Sequence, residues 1–88
     1  MRERDLEDYL LRKVAQHKAF VRKIRWIGRR DAPDRLLKIP GGAQYLVELK
    51  KPGEQPRHGQ LVEHDELRKA GFDVRVVDSY EGVNALFK

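Results

Sequence analysis

Apolar residues at the start of the chain recur at helical spacing. One stripe, with a histidine among its members, comprises Leu6, Leu10, Val14, His17 and Val21. This period predicts a helix over residues 4–21 that packs one face against a core. Ile24 and Trp26 then alternate with charged residues, which predicts a short first strand followed by a charged turn at residues 28–33.

The middle of the chain predicts a β-hairpin. Residues 35–39 and 44–50 are the two best strand candidates, and the glycines of Pro40-Gly41-Gly42 between them accept a positive φ without steric cost. A three-residue turn makes paired positions sum to 82 and sets Asp34 directly opposite Glu48. A two-residue Gly41-Gly42 turn leaves the two acids diagonal. Either register keeps their Cβ atoms within roughly 4.5–8 Å of each other.

The second half of the chain predicts a further helix, strand and short helix. A loop at residues 51–57 leads to a helix over residues 58–70, which ends at Gly71 as its C′ residue. Residues 72–77 predict a strand, and Ser79 is placed to cap a last helix. The expected fold is therefore α/β, a mixed sheet with an antiparallel hairpin and a βαβ crossover, flanked by helices.

Size and charge narrow the class of protein. The 88 residues suit one domain, 1–88, with a thin core that an oligomer would supplement. A net charge of +5 favours a polyanionic partner. The lack of cysteine excludes a thiolate metal site, a disulfide framework and a cysteine nucleophile. No segment approaches the length of a membrane span, so a soluble, cytoplasmic protein without a membrane partner is expected.

Two carboxylates and a lysine converge on the predicted hairpin. Strand alternation places Glu48 and Lys50 on one face, close to Asp34. Oxygen ligands without sulfur favour Mg²⁺ or Mn²⁺, and a nearby ammonium can orient or deprotonate an attacking water. The alternative interpretation is an ion pair on a solvated strand face, with Asp34 as an ordinary turn residue.

The first helix offers a third acid. Glu3 shares the direction of the apolar stripe to within about 20°, whereas Glu7 lies about 60° from it. A carboxylate that faces the sheet is costly unless a cation or water receives it. Glu3 therefore either joins the site or lies in solvent at a fraying helix end.

These motifs resemble a known family. Pro33-Asp34 followed by Glu48-x-Lys50 is similar to the PD-(D/E)xK nuclease superfamily, and more closely to the stand-alone VRR-NUC (virus-type replication-repair nuclease) domains of phages and prophages. The resemblance covers nearly the whole chain. Its further segments are Glu3-Arg4-Asp5-Leu6-Glu7 with Tyr9-Leu10, Ala32-Pro33-Asp34-Arg35, Leu46-Val47-Glu48-Leu49-Lys50, Gln60, and Gly71-Phe72-Asp73-Val74.

The resemblance implies a restriction-endonuclease-like fold and an Mg²⁺- or Mn²⁺-dependent DNA endonuclease. The substrate would be Holliday-junction or other branched DNA, with duplex DNA also possible, cut by a homodimer encoded by a phage or prophage and acting in the host cell. Metal would be bound by Asp34, Glu48, the backbone carbonyl of Leu49 and either Glu3 or Glu7. Lys50 would act on the water, and Gln60 would belong to the catalytic set.

The chain departs from the family at two places. The family usually has glycine two residues before its Pro-Asp, and here that residue is Asp31. A small polar residue commonly precedes the helix glutamine, and here Pro56-Arg57-His58-Gly59 stands before Gln60. Both departures lie in loops that flank the predicted site.

Cations in the loops around the site are candidates for phosphate contacts, with scattered solubilising charge as the alternative. They are Arg29, Arg30, Arg35, Lys51, Arg57 and His58. Trp26 is predicted to be a core residue rather than a base-stacking one, and His64 a surface histidine rather than a substrate contact.

Two other functions remain open from the sequence. One is a non-catalytic nucleic-acid-binding module, and the other is a small interaction subunit of a phage assembly. A binding module has no need to concentrate acids against a polyanion, so the set of Asp34, Glu48 and Lys50 favours the enzyme.

Overall fold

A four-stranded mixed sheet forms the middle layer of the protein, whose structure is a computed structural model that describes residues 1–88. The elements in chain order are α1 (Glu3–Gln16), β1 (Phe20–Lys23), β2 (Arg35–Lys38), β3 (Gln44–Leu49), α2 (His58–Lys69), β4 (Val74–Val77) and α3 (Tyr80–Ala85). The strands lie in the order β1-β2-β3-β4. The first three are antiparallel to their neighbours, and β4 runs parallel to β3 after the α2 crossover. The predicted element order and α/β class are confirmed.

The β2–β3 hairpin adopts the register of a three-residue turn. Arg35 pairs with Val47 and Lys38 with Gln44, so paired positions sum to 82. The turn is closed by the Ile39 amide, which donates to the carbonyl of Ala43 at 2.9 Å, and Gly41 takes a φ of +67°. Continuing the register by one residue sets Asp34 opposite Glu48.

The first helix is shorter than its apolar stripe predicts. It ends at Gln16, and Val21 belongs to β1, where it pairs with Leu37. The predicted helix end near residue 21 is therefore wrong, and so is the placing of the first strand at Ile24 and Trp26. Val21 is apolar because its strand packs against the same core as α1, and its helical spacing from Val14 is a coincidence. Lys18 makes the turn at a φ of +52°, a conformation that its sequence does not signal.

The two faces of the sheet are covered by different helices. Helices α1 and α3 pack on one face, in a cluster that includes Leu6, Leu10, Val47 and Val83. Helix α2 covers the other face through a smaller cluster of Leu46, Leu67 and Val74. Since side chains alternate along β3, Glu48 shares the face of Leu46 and looks toward α2.

The ends of the later helices follow their predicted signals. Helix α2 ends at Lys69, and Gly71 follows with a φ of +103°. The Phe72 amide donates to the Leu67 carbonyl at 3.0 Å, which ties residue 72 to the helix end, so β4 begins only at Val74. The Ser79 hydroxyl accepts from the Gly82 amide at 3.0 Å and caps α3, as predicted. No helix of the chain is both long enough and apolar enough to span a membrane.

Candidate active site

The two acids of the hairpin face each other at one end of the two central strands. Asp34 follows the buried Pro33 and directly precedes β2, and its backbone carbonyl accepts from the Ile24 amide at 2.8 Å. Facing residues of an antiparallel pair have Cβ atoms roughly 4.5–5.5 Å apart. The side chain of Asp34 is half-exposed and that of Glu48 is half-buried.

The electrostatics of this pair act chiefly on Glu48. Burial of its carboxyl, followed by the negative charge of Asp34, raises the pKa of Glu48 to about 7, and the positive charges of Lys50 and Arg35 only partly oppose that shift. Two neighbouring carboxylates repel each other, and a cation bound between them would offset that repulsion. Their chemistry therefore suits a hard divalent metal ion.

Lys50 lies beside this pair with its side chain almost fully buried. Strand alternation puts it on the same face as Glu48, and its amide donates to the Val77 carbonyl at 2.9 Å. Its Nζ is 3.7 Å from Oε1 of Glu54, in the loop that follows β3. The ammonium is thus held close to the acids by a buried stem, with one carboxylate partner.

Arg35 differs from its prediction as a phosphate contact. Its side chain is 8% exposed, Nη1 donates to Oδ1 of Asp34 at 2.8 Å, and Nη2 pairs with the carboxylate of Glu7. The guanidinium is therefore occupied by two acids and turned toward α1 rather than toward solvent. This contact links residues 28 apart in the sequence, which no local pattern could reveal.

The structure places the two helix acids differently. Glu7 pairs with Arg35 and lies 4.0 Å from Nζ of Lys23, on the α1 side of the sheet. Glu3 is exposed at the first residue of α1, and its charge reaches Glu48, where it contributes to the raised pKa. No group of three or more histidine and acidic side chains is arranged to hold a metal ion by itself.

Helix α2 brings Gln60 and His64 to the same side of the sheet. Gln60 is buried, and its Oε1 accepts from the Arg57 amide at 3.0 Å at the start of the helix. The prediction of a surface His64 is wrong, because its side chain is fully buried and neither ring nitrogen has a hydrogen-bond partner. Burial, together with the positive charges of Arg68 and Lys50, lowers the pKa of His64 and so favours the neutral ring.

The spacing of His64 carried a signal for that burial. It lies four residues after Gln60, so both side chains project from the helix face that packs on the sheet. A polar residue at this spacing was consistent with a buried site as well as with a surface one.

The other cations proposed for phosphate contacts fall into two groups. Arg30, Lys51 and His58 are exposed and form no ion pair. Arg29 is bound by Glu63 and Glu66 of α2, and Arg57 donates to Asp31 at 3.0 Å. The first group is free to meet a polyanion, whereas the second already joins the loops to α2.

The segment between β1 and β2, residues 24–34, is called the β1–β2 loop below. Trp26 packs against the cluster of Leu46, Leu67 and Val74, and its Nε1 donates to the Pro33 carbonyl at 2.7 Å. Trp26 is therefore partly buried against this cluster, in agreement with its prediction as a core residue. The loop lines a cavity of about 870 Å³ that is open to solvent, and Asp34 is among the lining residues.

The two departures from the family pattern fit each other. Asp31 has a φ of +49°, a conformation that glycine adopts at much lower cost. A Cβ atom at Gly59 would clash with Oδ2 of Asp31. The Asp31 carboxylate therefore occupies the space that a side chain at residue 59 would need.

This fit predicts a change of sign in a double-mutant cycle. Gly59→Ala alone should lower the free energy of unfolding by about 1 kcal/mol, because it displaces Asp31 and its bond to Arg57. In an Asp31→Gly background the same change should raise it by up to about 1 kcal/mol, since alanine favours a helix over glycine. Urea denaturation of the four proteins measures both values. Equal effects of Gly59→Ala in the two backgrounds would contradict the fit.

Comparisons with known proteins place the chain among nucleases. No protein-family model matches the sequence. The chain is 40% identical over 81 residues to a protein of Acyrthosiphon pisum secondary endosymbiont phage 1 described as "Putative nuclease p44", a match that covers 92% of this chain and 87% of that protein. A solved structure described as a "VRR_NUC domain" superposes with a TM-score of 0.83 at 35% identity, over 96% of this chain and 91% of the other.

Proposed function

The chain belongs to the VRR-NUC family of nucleases, and from that premise we propose that it is an Mg²⁺- or Mn²⁺-dependent DNA endonuclease selective for branched DNA. The observation that carries the proposal is the facing pair of Asp34 and Glu48 with Lys50 on the same side of the sheet. A domain that only bound DNA would weaken its own affinity by presenting these acids to phosphates. The acids are useful where a cation lies between them and the DNA.

Asp34, Glu48 and the backbone carbonyl of Leu49 would hold the metal ion. Both side chains supply hard oxygen donors, and the raised pKa of Glu48 marks a carboxyl that gains from a cation. With only two acids facing each other, water and phosphate oxygens would complete the coordination, as Mg²⁺ prefers. When bound, such an ion supplies Lewis-acid activation of the phosphodiester and a more acidic water.

The chain's own groups would do the remaining work. The Lys50 ammonium hydrogen-bonds the attacking water and offsets the negative charge that develops on the phosphate in the transition state. Glu54 pairs with Lys50 from the loop after β3, and Gln60 is buried on α2, which covers the same face of the sheet. Arg35 holds Asp34 in place through Nη1 at 2.8 Å, so it positions an acid instead of binding DNA.

Of the two helix acids, Glu3 is the better candidate to assist the metal. Its charge reaches Glu48, whereas Glu7 is taken up by Arg35 and Lys23 on the other side of the sheet. Glu7 would then act indirectly, as the second carboxylate that fixes the Arg35 guanidinium.

Phosphate contacts would come from the exposed, unpaired Arg30, Lys51 and His58. Each phosphate that such a group neutralises makes binding more sensitive to salt, without adding sequence preference.

We also propose a homodimer, because only 19 of 88 residues are buried and Leu61 and Val62 on α2 are half-exposed. Light scattering at micromolar concentration should give twice the chain mass of 10.3 kDa.

A panel of DNA structures tests the proposed activity. The purified protein is incubated with duplex, single-stranded, splayed and four-way-junction DNA, in Mg²⁺, in Mn²⁺ and in chelator. We expect metal-dependent cleavage that is fastest on the branched substrates and absent in chelator. If the protein binds these DNAs and cuts none of them, it is a binding module and the proposed activity fails.

A further inference from the structure

The β1–β2 loop presents an apolar side chain to solvent beside the candidate active site. Ile27 is 95% exposed, more than any other large hydrophobic residue of the chain. Single exposed apolar residues are ordinary, so exposure alone carries no meaning. Ile27, however, lines the same open cavity as Asp34, so the two residues face one groove of the surface.

The turn that carries Ile27 is fixed at both ends. The Arg29 amide donates to the Trp26 carbonyl at 3.3 Å across Ile27 and Gly28, and Gly28 takes a φ of +79°. The Trp26 indole is anchored to Pro33, and Arg29 is bound to Glu63 and Glu66 of α2. The exposed side chain is therefore held out by a defined turn and is not part of a fraying terminus.

Positive charge on both sides of Ile27 indicates the chemistry of its partner. Arg25 and Arg30 are exposed and form no ion pair, and the chain carries a net charge of +5. Cations that flank an apolar side chain match a nucleic acid, in which phosphates lie on either side of stacked bases. An apolar protein surface would offer those arginines no counter-charge.

We propose that Ile27 is a wedge that inserts into the base stack at a branch point, while Arg25 and Arg30 contact the flanking phosphates. The inference rests on the proposed function and gives its preference for branched DNA a physical cause. Apolar side chains inserted between bases must overcome the stacking energy of that step. The cost is lowest where bases are already unstacked, as at a junction, so the wedge would favour branched DNA over regular duplex.

Fluorescence of 2-aminopurine tests the wedge independently of cleavage. The base analogue is placed at each position around the branch of a four-way junction, and the DNA is bound by the full chain carrying Asp34→Asn, which keeps it intact. At one or more branch positions we expect binding to raise the fluorescence by at least about two-fold, because the base loses its stacking neighbour. Adding Ile27→Ala should remove that rise and weaken junction binding about ten-fold, whereas Ile27→Met should retain both.

Phe72→Ala is the matched control, since Phe72 is also a half-exposed apolar residue but lies beside Gln44 and Tyr45 at the opposite end of β3. It should leave the fluorescence unchanged. If the wild type cuts junctions but the Ile27→Ala variant keeps the full fluorescence rise, the wedge proposal fails and the proposed nuclease activity stands. If the fluorescence rise depends on Ile27 but the wild type cuts none of the DNAs, the proposed nuclease activity fails and the wedge proposal stands. Failure to bind any of these DNAs would overturn both.

Discussion

Lys50→Ala is expected to lower the rate of DNA cleavage by about 10²–10⁴-fold, the range typical of a group that moves or orients a proton in the transition state. The ammonium lies on the face of Glu48, and its stem is buried, so the structure holds it close to the two acids. DNA affinity and metal affinity should change little, because the acids and the exposed cations are retained. The measurement is single-turnover cleavage of a labelled junction at saturating protein.

Lys69→Ala provides the control for that prediction. Lys69 also pairs with an acid four residues away, Asp65, at 3.0 Å, but it lies on the exposed side of α2. Its loss should leave the cleavage rate within about two-fold, since exposed ion pairs contribute little. A Lys50→Ala protein that folds, binds the junction and cuts it at the wild-type rate would remove Lys50 from the proposed mechanism.

Glu48→Gln is expected to abolish cleavage and, without divalent metal, to stabilise the protein at alkaline pH. The pKa of Glu48 is about 7 in the folded chain and about 4.5 in the unfolded one. Between these values the unfolded chain releases the proton first, so the wild type loses stability as pH rises from 4.5 through 7. Glutamine has no charge to bury and escapes that loss.

The gain should be about 1–2 kcal/mol at pH 8, after allowance for the solvent that screens a half-exposed group. Thermal unfolding in chelator at pH 4 and pH 8 measures it, and in a chain of this size each kcal/mol raises Tm by about 4–8 °C. At pH 4 both states of Glu48 are largely protonated, so the variant and the wild type should melt together. A variant that melts below the wild type at pH 8 would show that the charge of Glu48 does not destabilise the folded protein.

The hairpin and the ends of α2 and α3 were predictable because local chemistry decides them. Pro40-Gly41-Gly42 set the register that brings Asp34 opposite Glu48. Gly71 marked the end of α2, and Ser79 the start of α3. In each case a single residue type satisfies a backbone requirement that others meet only at a cost.

Features that depend on contacts between distant residues could not be predicted from the sequence. The end of α1 has no glycine or proline to mark it, and Val21 continued the helical period from a neighbouring strand. Arg35 is held by Glu7, 28 residues earlier, so its sequence position among the loop cations was misleading. His64 is buried because the whole face of α2 around Gln60 packs on the sheet. Such contacts follow from tertiary packing rather than from period or composition.

The proposed catalysis by a metal held between Asp34 and Glu48 is tested most directly by one comparison. Wild type and Asp34→Asn are incubated with a labelled four-way junction in Mg²⁺, in Mn²⁺ and in chelator, and cleavage and binding are measured on the same samples. We predict metal-dependent cleavage by the wild type, a rate at least about 100-fold lower for Asp34→Asn, and equal or tighter DNA binding by the variant. Cleavage in chelator, or equal metal-dependent cleavage by both proteins, would contradict the account.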